Sequence, residues 1–358
     1  MEQQVASPSV SPEPFSFSGT AAEYFRIWIV NLCLTIVTVG IYSPWAKVRN
    51  TRYLYRNTHL AAGSFDYHAN PVAILKGRLL AVVMLGAYFA TALLAPGLDA
   101  LVFVAIACFI PWLLVRSRMF SLRNTSYRNI RFSFRPVFGE AYAVLIGYYL
   151  IAVASLGLAF PWARYHRARL LVDNSRFGAS DLRISDEVTA GNFYKIYIGI
   201  GVLLAVAFFV AVYFGFALSS GLMPEGPGGA TDPESPEMSR AALLFSLPLI
   251  PVYFTAFYAI SAAVLHRTLA GMRIGEHRLS CDFSVARLVW IRVTNLFAIL
   301  LSLGLLIPWA TVRTQRYILS GLTLHPAGDL DAMLAGEAVE VSALGEEIGE
   351  AFDFDFGL

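Results

Sequence analysis

The sequence predicts a mainly α, multi-pass helical membrane protein, on three observations. Composition is the first: 57% of the 358 residues are hydrophobic and 15% are charged, where soluble domains carry about a quarter charged residues. Mean hydropathy is +0.59. Apolar runs approaching the roughly 20 residues that cross a bilayer are the second. The third is a motif present three times: Thr38-Val-Gly40-Ile-Tyr-Ser-Pro44-Trp45-Ala46, Ser155-Leu-Gly157-Leu-Ala-Phe-Pro161-Trp162-Ala163 and Ser302-Leu-Gly304-Leu-Leu-Ile-Pro308-Trp309-Ala310. Each copy ends an apolar run and is followed by basic residues. Recurrence in one register points to a duplicated unit.

Seven apolar segments follow, at about 24–46, 72–95, 98–115, 141–163, 193–218, 241–265 and 286–310. Segments one, four and seven end in the Gly-x3-Pro-Trp-Ala unit. Segment three carries a partial copy, Pro111-Trp112 followed by Arg116. Between segments lies a second pattern, a basic run, a small polar pair and an alternating stretch. Asn57, Asn124 and Asn174 each fall twelve residues after a Trp, ahead of Phe65-Asp-Tyr67, Arg131-Phe132-Ser-Phe134 and Leu182-Arg-Ile184. Weaker copies are Phe15-Ser-Phe17 and Leu279-Ser-Cys281. Period-2 alternation predicts short β-hairpins between segments, outside the bilayer. A shared sheet is one arrangement they allow.

The chain divides into a disordered N-terminus (1–14), a repeat-built membrane domain (15–328) and an acidic tail (329–358). The membrane domain is read as units at about 15–63, 64–129, 130–180, 181–278 and 279–328, with a Gly/Pro-rich flexible loop at 219–240. The tail holds nine acidic residues and no Lys or Arg. Its apolar residues recur at near-helical spacing, which predicts an amphipathic helix able to dock on a basic face. Cys33, Cys108 and Cys281 show no disulfide or metal spacing.

Basic residues set the topology. The stretches after segments one, three, four, six and seven are rich in Arg, whereas the two remaining loops hold one Arg between them. Lys/Arg-rich segments stay in the cytoplasm. Segments two/three and five/six then cross as hairpins. Segments four and seven would each put a basic flank outside if they crossed once. Gly and Pro four apart break a helix, so the sequence favours four spanning helices and three motif segments that dip in and return, over seven plain crossings. Lipid cannot satisfy free amides, so the breaks (Gly40, Pro44, Gly157, Pro161, Gly304, Pro308) are expected to be buried in protein.

Each proline suits the first position of a new helix, and Ser43 is read as the N-cap of the first. The following turns present Trp45, Arg49 and Arg52, then Trp162 and Arg169, then Trp309, Arg313 and Arg316. Tryptophan at headgroup level with snorkelling arginine is the plain reading. A headgroup or anion site, with Arg paired to phosphate, is the functional one. Asn31 and Asn295 both lie fourteen residues before a motif Trp. They are intramembrane polar groups that bond across helices or touch a ligand. The six histidines lack zinc spacing, and no P-loop, dinucleotide or Gly-x-Ser-x-Gly fingerprint occurs. No metal, cofactor or catalytic group is therefore expected. Arginines hugging membrane segments argue against nucleic acid.

The Phe15-Ser-Phe17-Ser-Gly19 start, the run from Tyr24 through Asn31, Gly40 and Pro44-Trp45-Ala46-Lys47-Val-Arg49, Arg52-Tyr53 and Phe65-x-Tyr67-His68 together resemble the YjgN-like bacterial inner-membrane family. The likeness spans essentially the whole chain. It implies a multi-pass inner-membrane protein of a family with no assigned molecular function, and supplies no catalytic residues.

The leading functional expectation is a non-enzymatic protein that binds membrane lipids, or envelope proteins, through an Arg-rich cytoplasmic face. A transporter or channel for a small solute, with an anion among the options, is second; the lack of a buried carboxylate weakens it. A lipid-modifying enzyme is third. The oligomeric state is left open. Single cysteines at Ser18, Asn174, Gly229 and Leu322, placed in a background without the native three, test the topology. The dipping arrangement requires Ser18, Asn174 and Leu322 to react only from the cytoplasm and Gly229 only from outside. Seven crossings would put Ser18 and Asn174 outside.

Overall fold

A computed structural model describes residues 11–95, 97–222 and 249–328. Ten short strands organise it: β1 (Glu13–Phe17), β2 (Thr58–Leu60), β3 (Gly63–Tyr67), β4 (Thr125–Tyr127), β5 (Ile130–Phe134), β6 (Ser175–Phe177), β7 (Ser180–Ile184), β8 (Met272–Ile274), β9 (His277–Cys281) and β10 (Leu322–His325). Each pairs antiparallel with its sequence neighbours, and β1 pairs with both β2 and β10, so the sheet closes into a barrel. Glu13 and Pro14, at the end of the stretch read as disordered, pair with Leu324 and Thr323.

Connections alternate in kind. Tight turns join β2–β3, β4–β5, β6–β7 and β8–β9, using left-handed residues such as Ala61, Arg128, Asn129, Gly178 and Gly275. Helical hairpins fill the other five connections. The first is α1 (Ala21–Val37) and α2 (Ser43–Arg56); the second is α3 (Pro71–Leu94) and α4 (Leu98–Arg123). The third is α5 (Phe138–Tyr142), a π-helical turn (Ala143–Gly147), α6 (Tyr148–Ala154) and α7 (Phe160–Asp173). The fourth is α8 (Ala190–Leu222) and α9 (Leu249–Ala270), and the fifth α10 (Val285–Leu301) and α11 (Ile307–Ser320). Antiparallel strands alternate direction, so every helical hairpin leaves and re-enters the barrel at the same rim. The last hairpin packs on the first, α11 against α1.

Two expectations are corrected. The seven apolar segments are not seven helices. Each motif segment is split by a turn into two antiparallel helices, and among the described residues three helices are long and apolar enough to cross a membrane: Pro71–Leu94, Leu98–Arg123 and Ala190–Val210. The β-hairpins are not separate either; they form one closed ten-stranded barrel. Local alternation specifies a strand but not its partner, and the β1–β10 pairing joins the two ends of the described chain. The predicted amphipathic tail lies outside the described residues, as does most of the 219–240 loop.

The barrel is solid. Inward positions at every second residue carry Phe15, Leu60, Phe65, Tyr127, Ile130, Phe132, Phe177, Leu182, Ile274 and Leu324, which form one cluster. The Phe65 ring lies 4.8 Å from Tyr127, and Phe132 lies 4.8 Å from Phe177. Such filling excludes a water path along the axis. The outer wall is polar. Asp181 takes Arg135, Arg176 and Arg183 at 2.8, 2.6 and 3.3 Å. Burial would raise its carboxyl, but the hydrogen bonds and charge of Arg176, with Arg135 and Arg183, hold it below the usual carboxylate value.

The motif turns share one conformation. Val39, Leu156 and Leu303 are left-handed at φ 50°, 53° and 50°, followed by Gly40, Gly157 and Gly304 at 89°, 91° and 91°. The glycine is required by its backbone rather than by space, since a Cβ on Gly40 would meet nothing within 4 Å. Each glycine N–H donates to a carbonyl five residues back, Thr35, Ala152 and Ile299, at 2.7–2.8 Å, as in a Schellman stop. The motif hydroxyl then closes the turn ahead of the next helix: the amides of Tyr42, Ala159 and Leu306 donate to Thr38, Ser155 and Ser302, each at 3.0 Å. Tyr42, not Ser43, occupies the N-cap position, and the Ser43 hydroxyl donates to the Gly40 carbonyl. Proline enters at the start of the second helix, as the motif predicts.

At the rim opposite the helices, His277 Nδ1 accepts the Ala327 N–H at 3.1 Å, which requires the neutral ring. Burial lowers its pKa below the ordinary value, against a smaller upward pull from Glu276. The unfolded chain then binds the proton more readily, so stability is complete above about pH 6.5 and falls as the pH drops below it. His277→Asn keeps an acceptor without a titrating ring. Melting temperatures at pH 8 and pH 5.5 should differ less in this variant than in the wild type.

Candidate functional site

The third motif hairpin builds a cleft of about 730 Å³. Its floor is one face of α11, where Trp309, Arg313, Arg316, Tyr317 and Ser320 recur at helical spacing. One wall is the first turns of α10, with Arg287, Trp290 and Ile291. Ala21, at the start of α1, closes the far side. Ligand pockets commonly enclose about 300–1,000 Å³.

Each polar group has a structural anchor. Ser284 caps α10 by accepting the Arg287 N–H, and the Tyr317 hydroxyl donates to the Ser284 carbonyl while accepting its amide. This joins α10 and α11 at the barrel end. The Arg287 guanidinium lies 5.6 Å from the Tyr317 ring, and that of Arg313 lies 5.0 Å from Trp309. Arg313 also donates to Thr294 and to Asn295 Oδ1, both at 2.9 Å. Arg316 reaches the Gly19 carbonyl at 2.9 Å. No carboxylate lines the cleft, and among the described residues none of these arginines forms an ion pair. Three cations and two indoles thus face one apolar-walled cavity, a composition suited to an anion carried on an apolar body.

The sequence candidates separate on this geometry. Trp309, Arg313 and Arg316 converge on the cleft. Asn295 lies just behind it, donating to the Ala310 carbonyl at 3.1 Å and to Thr314 at 3.0 Å. On its other side a smaller cleft, about 340 Å³, holds Arg292, which donates to Ser261 of α9 at 2.8 Å. In the first copy Trp45 stacks on Tyr42, Arg49 donates to the Tyr42 hydroxyl and Arg52 to the Tyr67 carbonyl. In the second copy Trp162 packs 4.1 Å from Tyr148, and Arg169 is neutralised by Asp173 at 2.8 Å.

Sequence reasoning missed Arg287, Trp290 and Tyr317. The available signal was register. Thr20, Glu23 and Tyr53 stand in the first hairpin where Ser284, Arg287 and Tyr317 stand in the last, and Tyr53 likewise bonds the Thr20 backbone. The two hairpins differ in sign at one place: Tyr53 donates to the Glu23 carboxylate at 3.0 Å, whereas Tyr317 lies beneath the Arg287 cation.

Asn31 and Asn295 also differ. Both are buried and bridge the two helices of their hairpins, Asn31 by donating to Asn50 Oδ1 at 2.8 Å. Asn31 Oδ1 has no partner, whereas Asn295 Oδ1 receives Arg313. Asn295→Leu removes three hydrogen bonds, one of them charge-assisted, and should cost about 2–4 kcal/mol. Asn31→Leu should cost about 1 kcal/mol or less, because it also removes an orphaned acceptor. Thermal unfolding of the two variants side by side checks the order.

Comparison with known proteins agrees with the membrane character of this architecture. The family described as "Bacterial protein of unknown function (DUF898)" matches residues 12–351. Inner membrane protein YjgN of Salmonella typhimurium is 31% identical over 139 residues, 38% of this chain and 34% of the relative. Inner membrane protein YjgN of Escherichia coli K12 is 33% identical over 138 residues, 37% of this chain and 34% of the relative. The matched region thus spans about a third of the length of these curated relatives. No solved structure matches the chain.

Proposed function

The chain belongs to the bacterial DUF898 family, and from that premise we propose that it is a multi-pass inner-membrane protein that holds the anionic headgroup of a lipid in the α10–α11 cleft. The observation that carries this reading is the cleft itself, with Arg287, Arg313 and Arg316 unopposed by any lining carboxylate, between two exposed indoles. Tryptophan and arginine together favour the headgroup level of a bilayer. The names of the relatives support the location. So does the exposure of the three candidate spans, whose apolar windows are 6%, 11% and 6% buried within the protein. Apolar helices so poorly covered need lipid as their solvent.

In this reading the barrel lies in the cytoplasm, because the helix feet and the barrel wall carry the arginines. The role is non-enzymatic. The cleft lining holds no histidine or carboxylate to act as a base. Transport is the weaker alternative, because the packed aromatic interior leaves the barrel no lumen.

Arg313 also bonds Asn295, so the test spares it and uses Arg287→Gln/Arg316→Gln. The detergent-solubilised protein should bind phosphatidylglycerol more tightly than phosphatidylcholine in native mass spectrometry. The double variant should bind phosphatidylglycerol at least tenfold more weakly, about 1.4 kcal/mol. Equal binding of the two lipids, or a variant that binds as the wild type does, would refute the headgroup reading.

A further inference from the structure

We infer that the three motif hairpins are single-leaflet wedges: each enters the bilayer from the barrel side, places its turn among the acyl chains of the near leaflet and returns without crossing. The inference rests on the membrane reading above, and it assigns the turns an occupant, the lipid tails of one leaflet.

The first support is what the turns expose. Val39, Leu156 and Leu303 are 92%, 96% and 94% accessible, and Val37, Ile41, Leu158 and Leu301 beside them are also exposed. A bare apolar residue at one structural position of three separate hairpins is a surface built for an apolar solvent. The expectation that the breaks are buried in protein holds for Pro44, Pro161 and Pro308 but not for Gly40, Gly157 and Gly304, which are exposed or half-buried.

Backbone chemistry is the second. Irregular backbone is excluded from lipid because its amides lack partners. Here they do not. From Thr38 to Ser43, every amide donates within the turn: Thr38 to Leu34, Val39 to Ile36, Gly40 to Thr35, Ile41 to Thr38, Tyr42 to the Thr38 hydroxyl and Ser43 to Gly40. The next residue is Pro44, which has no N–H. The six amides from Ser155 to Phe160 and the six from Ser302 to Ile307 repeat the pattern, each ahead of a proline. The hydroxyl, glycine and proline of the motif thus close a turn in which every donor ahead of the proline is met.

Depth is the third. On the returning helices the first charged residues are Lys47, Arg164 and Arg313, four, four and six residues beyond the first residues of α2, α7 and α11. At 1.5 Å per residue they lie about 6–9 Å behind the turn. With the turn itself and snorkelling side chains, the apolar cap is about 15 Å tall, half of a roughly 30 Å hydrocarbon core. By contrast α3 and α4, of 24 and 26 residues, are about 36–39 Å long, enough to cross. All five hairpins rise from one rim, so the three wedges share one leaflet.

The experiment places single cysteines at Val39, Leu156 or Leu303 in full-length protein without native cysteines, reconstituted in liposomes. Each carries an environment-sensitive fluorophore, read against lipids bearing quenchers at defined depths. Leu93→Cys, near the far end of α3, is the crossing control. The wedge requires maximal quenching of the three tip probes between the headgroups and the midplane of the near leaflet. Before labelling, the tip cysteines must resist a water-soluble thiol reagent from both sides. Leu93→Cys must report the opposite headgroup region. Tip cysteines that react from the far side would mean full crossing and overturn the inference. So would tips that lipid quenchers never reach, which would place a second copy or another protein over them. Loss of quenching at Leu93 as well would reject the membrane reading itself, while phosphatidylglycerol binding separately reports the cleft.

Discussion

Closure of the barrel is the constraint on which the rest of the structure depends. Ten strands of three to five residues are too short to be stable as isolated hairpins. Closed on themselves, they leave no edge and bury one continuous set of inward side chains. The pairing of β1 with β10 is what completes the set. It also fixes the helices. Each helical hairpin must start and end on adjacent antiparallel strands, so all five emerge from one rim and neither end of any hairpin can move to the other side independently.

That geometry resolves the conflict in the charge pattern. Arginine-rich flanks on both sides of segments four and seven are incompatible with single crossings, yet they are natural for hairpins rooted at both ends in one barrel. The two long hairpins and three short ones then differ in what they can reach. Length separates them, and the chemistry of the short turns matches their reach, because every amide in the turn has a partner before proline removes the next donor.

The first and last hairpins neighbour each other and share their caps, their tyrosine latch and their buried asparagine, yet they are not equivalent. Glu23 beside Tyr53 gives one latch a carboxylate; Arg287 over Tyr317 gives the other a cation. The charge reverses there, and Arg26 and Arg56 of the first hairpin stand where the last has Trp290 and Ser320, so the same frame holds a carboxylate in one copy and a cleft with three guanidiniums and no lining carboxylate in the other. Arg169 in the middle copy shows a third outcome, capture by Asp173. Identical motifs therefore hold arginines of different availability, decided by residues outside the motif.

By itself the sequence determined the local features: the apolar helices, the proline-started second helices, the alternating strands around Phe65, Phe132 and Leu182, and the family likeness. Each depends on periodicity or on residues within a few positions, which a linear reading contains. It also contained Trp309, Arg313 and Arg316 as candidates, because they repeat. Only the tertiary structure decided that the strands form one barrel, that the Thr38 hydroxyl rather than Ser43 takes the amide leading into the second helix, and that Arg287 and Trp290 complete the cleft. Strand partners, hydroxyl direction and the convergence of two helix faces are set by contacts between distant parts of the chain, and amphipathic periodicity carries no record of which faces meet.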